Sequence, residues 1–208
     1  MPRLVLLGAG AMNSPRYRPA GLLVTWAGHR IALDGGSAAD PGPTLDAWLV
    51  CDEHAELMPS IRRRACEYGV HPIVGFFDAD GVALQPFPVR HTSHETVGYL
   101  IETAEQRAAW APEFWVFPEW TRGVDLMFAD AAGWNRPIRF AGGVGGHACV
   151  RDVAAAACSA GVGRLIFAHI GRPSIRAIDR GERPPFGEWG RDGAVFRLRS
   201  GPLSQHTR

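Results

Sequence analysis

The sequence predicts a layered α/β protein, on three observations. Two pairs of apolar runs are joined by tight turns, Gly28-His29 and Asp78-Ala79-Asp80-Gly81, and this pattern reads as β-hairpins. Two segments with helical spacing, Leu57–Tyr68 and Val150–Ala160, each run into a glycine, the common stop at a helix C-terminus. Acidic residues or histidines recur at or just past the ends of the apolar runs, as they do where strand ends build a site.

Taken in order, Leu4–Leu7 is a short buried strand, followed by the glycine-rich turn Gly8-Ala9-Gly10-Ala11. Gly21–Ala27 and Arg30–Leu33 form the first hairpin. Asp34-Gly35-Gly36 breaks the chain, and Ala38–Pro43 is a loop of small residues. Asp46–Cys51 reads as a buried strand, and Leu57–Tyr68 as a helix with a basic face at Arg62, Arg63 and Arg64. Pro72–Phe77 and Val82–Pro88 read as the second hairpin, and Thr96–Glu102, Phe114–Phe117 and Asp125–Ala129 as strands. Val150–Ala160 is the alanine-rich helix, and Leu165–Ala168 a further strand. The whole chain, 1–208, reads as a single domain. Its tail, 181–208, is mostly loop, with one late strand at Ala194–Leu198.

At 208 residues the chain is long enough to bury a sizeable core. Its formal net charge is only +1, so no global field draws it to nucleic acid or to a membrane. All 22 residues counted as lysine or arginine are arginine. The cysteines Cys51, Cys66, Cys149 and Cys158 form no C-x-x-C pair and read as thiols in a reducing compartment. No apolar run reaches the roughly 18–20 residues of a bilayer span. A cytoplasmic location is expected.

Four kinds of site can be weighed on the residues. Gly8-Ala9-Gly10 follows a strand, but Asn13 stands where a dinucleotide motif needs its third glycine. Pro15 and Pro19 also interrupt the helix that should follow. No G-x-S-x-G elbow is present for a serine hydrolase. A thiol nucleophile stays open, with Cys149 two residues after His147. The richest stretch is Leu49-Val50-Cys51-Asp52-Glu53-His54-Ala55-Glu56-Leu57. If extended, it points Asp52, His54 and Glu56 to one side. His91, Asp130 and His169 each come at or after an apolar run. Imidazole with carboxylate suits Zn, Mn or Fe.

These residues resemble the metallo-β-lactamase fold, and within it the ribonuclease Z-like and cyclic-phosphodiesterase branch. Leu6–Ala11 with Asn13–Arg18 is similar to that branch's opening strand and loop, and Ile31–Gly36 to its LLD-x-G turn. His91 with Thr96–Tyr99 resembles the segment of the third ligand. Arg122–Asp130 resembles the strand that ends in a metal-bridging aspartate. Gly146-His147, the alanine-rich helix and Gly161–Ile170 resemble the segment that ends in the last histidine ligand. The resemblance runs from Leu4 to about Asp179, and it implies an αββα sandwich.

The departure lies in the family's H-x-H-x-D-H motif, here Asp52-Glu53-His54-Ala55-Glu56-Leu57. Carried over residue by residue, the resemblance gives one metal Asp52, His54, His91 and Asp130. It leaves the second with Glu56, Asp130 and His169, one ligand short because Leu57 has no lone pair. His94, Glu53 and His147 are candidate replacements. The implied cofactor is one or two divalent transition-metal ions (Zn, Mn or Fe), and added carboxylate favours Mn or Fe.

The resemblance further implies a metal-dependent hydrolase acting on a small or nucleotide-like phosphodiester. Glu56 or Asp130 would orient the attacking water, and His147 would touch the phosphoryl oxygen or the leaving group. Arg16 and Arg18 would hold an anionic substrate. A descendant that only binds a ligand or protein, and a lactone or thioester hydrolase, are the alternatives. The chain lacks the long arm by which ribonuclease Z holds transfer RNA, so that substrate is not expected. A homodimer is left open, since related folds often dimerise.

Overall fold

Residues 1–199 are described by a computed structural model. The first sheet is supplied by the N-terminal part of the chain, β1 (Arg3–Gly8), β2 (Gly21–Trp26), β3 (His29–Asp34) and β4 (Ala47–Leu49). The helix α1 (Met58–Glu67) then leads to β5 (Pro72–Ile73), its edge strand. The second sheet starts with β6 (Phe77–Ala79), β7 (Val82–Val89), β8 (Thr96–Glu102) and β9 (Arg107–Ala111), and continues with β10 (Leu126–Asp130). A small ladder, β11 (Ile138–Arg139) with β12 (Gly146–His147), precedes α2 (Val150–Ser159). The chain continues through β13 (Arg164–Ala168), α3 (Arg172–Asp179), β14 (Glu188–Trp189) and β15 (Val195–Arg197). The sheet orders are β15-β1-β2-β3-β4-β5 and β14-β13-β10-β9-β8-β7-β6.

Alternation along the strands of the first sheet shows how the layers form. Leu22, Val24, Ile31, Leu33 and Leu49 join the main core between the sheets. Their neighbours Leu23, Ala32, Trp48 and Val50 pack outward with Met58, Ile61 and Ala65 of α1. Successive side chains of a strand point to opposite faces, so one sheet serves two apolar layers. Phe128 of β10 meets Phe196 of β15 edge to face at 5.1 Å, which links the two sheets. Val150, Val153, Ala154 and Ala157 give α2 one buried stripe, at the spacing a helix needs to cover a sheet. This is the αββα sandwich that the sequence predicts, a mixed α/β architecture with two large sheets.

Several local expectations are corrected. Residues 53–54 and 56–57 lie in turns, so the segment from Asp52 to Glu56 is not an extended strand. The Phe114–Phe117 strand is absent, and the strand of this region is β9, ending at Ala111. Pro72–Phe77 is divided between β5 and β6, in different sheets. The predicted strand Asp46–Cys51 shortens to β4, and β3 already begins at His29. The helix α3 was not among the predicted elements, and it carries Pro173 near its start. Proline is tolerated in a first turn, whose N–H groups have no partner within the helix, and here it sits there. The tail adds β14 to the predicted late strand, and its residues 200–208 lie outside the described part.

Candidate metal centre

The register of the second sheet places the site. The strands β9, β10 and β13 are parallel, with Ala111 beside Ala129 and Asp130 beside Ala168. Their C-terminal ends therefore deliver Glu113, Asp130 and His169 to one rim. The antiparallel hairpin of β7 and β8 pairs Val89 with Thr96, so the turn between them brings His91 and His94 to the same rim. From the first sheet, the loop after β4 contributes Asp52 and His54. A cleft of about 530 Å³ is lined by Asp52, His54, His91, Glu113, His147 and His169, among others.

Asp130 is fully buried. Its Oδ1 accepts the Ala132 N–H at 2.8 Å, and its Oδ2 accepts the Phe114 N–H at 3.1 Å. Oδ2 also accepts His147 Nδ1–H at 2.8 Å. Three hydrogen bonds leave this carboxylate about one of its roughly four lone-pair positions. Burial lowers the His147 pKa, but the charge of Asp130 more than reverses this, and the imidazole ends above its ordinary value. The His147 ring stacks on that of His169 at 4.9 Å.

Glu113 binds two histidines at once. Its Oε2 lies 2.9 Å from His91 Nε2, and its Oε1 lies 3.1 Å from His169 Nδ1. Burial pushes this carboxyl up, yet the two flanking imidazoles hold it well below the usual carboxylate range. His169 holds a left-handed backbone, φ 52°, a conformation uncommon outside glycine and often found where a site aims a side chain. Gly145 and Gly146 pass close beside His91, whose carbonyl accepts the Gly146 N–H at 2.9 Å. A Cβ on Gly145 would collide with the His91 carbonyl, and one on Gly146 with the Ile138 carbonyl.

The sequence-predicted residues divide. His91, His169, Asp130 and His147 come together. Asp52 stands at the mouth, where its Oδ2 pairs with His94 Nε2 at 2.8 Å and its Oδ1 accepts the His54 N–H at 2.7 Å. His54 is exposed, with its ring 5.2 Å from that of His94. Glu56 is exposed in a turn, and Leu57 leans on the α1 core. Glu53 turns away and accepts the Val74 N–H at 2.8 Å. Arg16 pairs with Asp179 at 2.6 Å. Arg18 is exposed, and neither arginine lines the cleft. Burial pushes the Cys51 and Cys149 thiols up, which keeps them protonated and poor nucleophiles.

Glu113 was missed by sequence reasoning. It carries the same mark as its partners, an acid just past an apolar run, here Ala108-Ala109-Trp110-Ala111-Pro112. Misplacing the strand at Phe114–Phe117 hid it.

Among the described residues, no three His, Cys, Asp or Glu side chains stand as a ready ligand set. The contacts of His91 bear on whether a cation fits nonetheless. Its Nδ1–H donates to the Gly146 carbonyl at 2.9 Å. In the neutral ring, Nε2 then turns a lone pair toward the Glu113 carboxylate, and two acceptors face each other. A proton or a metal cation resolves that opposition. His91, Glu113 and His169 thus fit one divalent ion by donor chemistry. Of the donors carried over for a second ion, Glu56 and His169 line the cleft together with the apolar Leu57, while the buried Asp130 is nearly saturated.

This fold and rim define a class. A family profile described as beta-lactamase superfamily domain matches residues 39–170. The chain belongs to that superfamily. No curated protein matches it. It is similar in fold to the metallo-beta-lactamase fold protein YhfI from Bacillus subtilis, with TM-score 0.74, 13% identity and 95% and 100% of the two chains covered. A diphosphatase from the PhnP family superposes with TM-score 0.73, 17% identity and coverage of 96% and 99%. The short form of human tRNase Z gives TM-score 0.67, 14% identity and coverage of 95% and 99%. These similarities show the fold.

Proposed function

We propose that the protein is a metal-dependent hydrolase of a small or nucleotide-like phosphodiester, built around one tightly held divalent ion. The observation that carries this reading is the contact of Glu113 with both His91 and His169, beside the His147–Asp130 pair in one cleft. His91, Glu113 and His169 would hold the ion, with Asp52 and His54 at the mouth available to complete its shell. When bound, such an ion acidifies water and polarises the ester.

The remaining work falls to the chain. Asp130 takes the Nδ1–H of His147 and so fixes its tautomer and orientation. The other ring nitrogen has no partner among the described residues and is left for the substrate. Doubly protonated, His147 would donate its Nε2 proton to the leaving oxygen and be left neutral, with Asp130 stabilising the charged ring before the transfer. Glu56, exposed in its turn, lines the same cleft and would orient the attacking water there. The diphosphatase neighbour supports phosphoester chemistry.

The test is elemental analysis of protein purified without chelator, followed by a colorimetric phosphodiester assay across divalent metals. One ion per chain and turnover above buffer are expected, faster with Mn²⁺ than with Zn²⁺. Metal-loaded protein with no turnover on any ester would replace this reading with a binding descendant of the fold. Turnover of lactones or thioesters alone would move the substrate class.

A further inference from the structure

A second cleft of about 680 Å³ opens beside the metal centre and shares His91, Thr92, His94 and Phe140 with it. Its outer half is built differently. Arg90 and Arg139 line it, with Trp115 between them and the loop Gly143–Gly145 as the far wall. Among the described residues, no acidic one lines it. The arginine ion pairs among the described residues use Arg16, Arg64, Arg122, Arg164 and Arg180. Arg90 and Arg139 therefore keep their charge uncompensated.

The aromatic groups are fixed. Arg139 lies over the Trp115 ring at 5.6 Å, which orients its guanidinium. Phe140 stands edge-on to His91 and to His147, 5.4 Å from each. It marks the border between the reacting end and the outer cleft. Gly145 lets the wall approach His91 closely, because a Cβ there would collide with the His91 carbonyl.

We infer that this outer cleft is the specificity subsite for a second negative charge and a planar ring on the substrate, away from the ester that is cut. Arg90 and Arg139 take the anionic group, since a guanidinium fork matches phosphate or carboxylate oxygens. Trp115 and Phe140 take the ring. The inference rests on the proposed hydrolase, for it names the part of the substrate that this neighbouring cleft holds. Within that reading, the subsite favours ring-bearing dianions over neutral esters of the same size.

The test is calorimetric binding, which needs no turnover. Adenosine 5′-monophosphate serves as the ring-bearing anion, and adenosine as its uncharged counterpart. The monophosphate is expected to bind at least about tenfold more tightly, an ordinary return for a charge-assisted contact. Arg139→Gln and Arg90→Gln should each erase most of that difference, and Trp115→Leu should weaken both ligands. Thermal unfolding checks that the variants are folded, and both arginines are exposed, so the parent melting temperature is expected. Equal binding of the two ligands, no binding of either, or unchanged preference in both arginine variants overturns the inference. Charge-selective binding without hydrolysis of any ester would sustain it and overturn the hydrolase reading alone.

Discussion

Glu113 Oε2 lies 2.9 Å from His91 Nε2, although 21 residues and two strands separate them along the chain. The contact exists because β9 ends where the hairpin of β7 and β8 turns. A carboxylate that belongs to none of the family-like motifs thereby reaches the centre of the rim. Its other oxygen lies 3.1 Å from His169 Nδ1, so one carboxylate joins two strand ends of the rim.

Removing this carboxylate should empty the site. Glu113→Gln is expected to weaken metal binding by more than about a hundredfold, beyond what loss of an outer hydrogen-bond partner costs. His91→Ala should do the same, and Glu53→Gln, whose carboxylate holds the Val74 N–H, should bind metal like the parent. Metal titration with a competing chelator measures this. Parent-like affinity in Glu113→Gln would remove it from the ligand set.

The His147–Asp130 pair should matter for rate more than for metal content. His147→Gln is expected to lower kcat by about 10²–10⁴-fold, the span of a lost proton-transfer group, while the bound ion stays at the parent level. An equal fall in ion content would make His147 a ligand and not a proton donor.

Asp34 offers a test of the scaffold beneath the site. Its Oδ1 accepts the Cys51 N–H and its Oδ2 the Trp110 Nε1–H, both at 2.7 Å. Burial pushes its pKa up from 3.8 to about 6, with those two bonds pulling the other way. The folded state then holds the proton to higher pH than the unfolded state does. This contribution to stability is full below the unfolded value and falls as pH rises through about 6, by about 1–3 kcal/mol. Asp34→Asn removes this slope, and urea unfolding of both proteins across that range reads the difference. Parallel curves would contradict the assignment.

Restoring the altered motif tests the second ion. Asp52→His, Glu56→Asp and Leu57→His together should raise metal content above that of the parent. Leu57 packs on the α1 core, so a stability loss of roughly 1–3 kcal/mol is expected alongside. A folded triple variant that binds no extra metal would mean that the second position has been given up in the rest of the rim as well.

Local chemistry made much of this legible before any coordinates. Hairpin turns, glycine helix stops and period-two alternation are short-range signals. They placed β2, β3, β7, β8, α1 and α2 within a few residues. Strand ends marked by His91, Asp130 and His169 were equally readable, because several acids and histidines recur at the ends of apolar runs. The altered motif at Asp52–Leu57 was visible for the same reason.

What only the tertiary structure decided is which of these residues meet. Parallel pairing of β9, β10 and β13 sets Glu113, Asp130 and His169 on one edge, and no local pattern encodes the register of strands so far apart in the chain. Tertiary hydrogen bonds also chose the partners. Arg16 went to Asp179, Glu53 to the Val74 N–H, and Asp130 to His147. Each polar group is taken by whichever partner the packed sheets bring within about 3 Å, and that proximity is a property of the folded layers. The sequence by itself determined the kinds of donor available and the layers that carry them; their assembly into one cleft followed from how those layers pack.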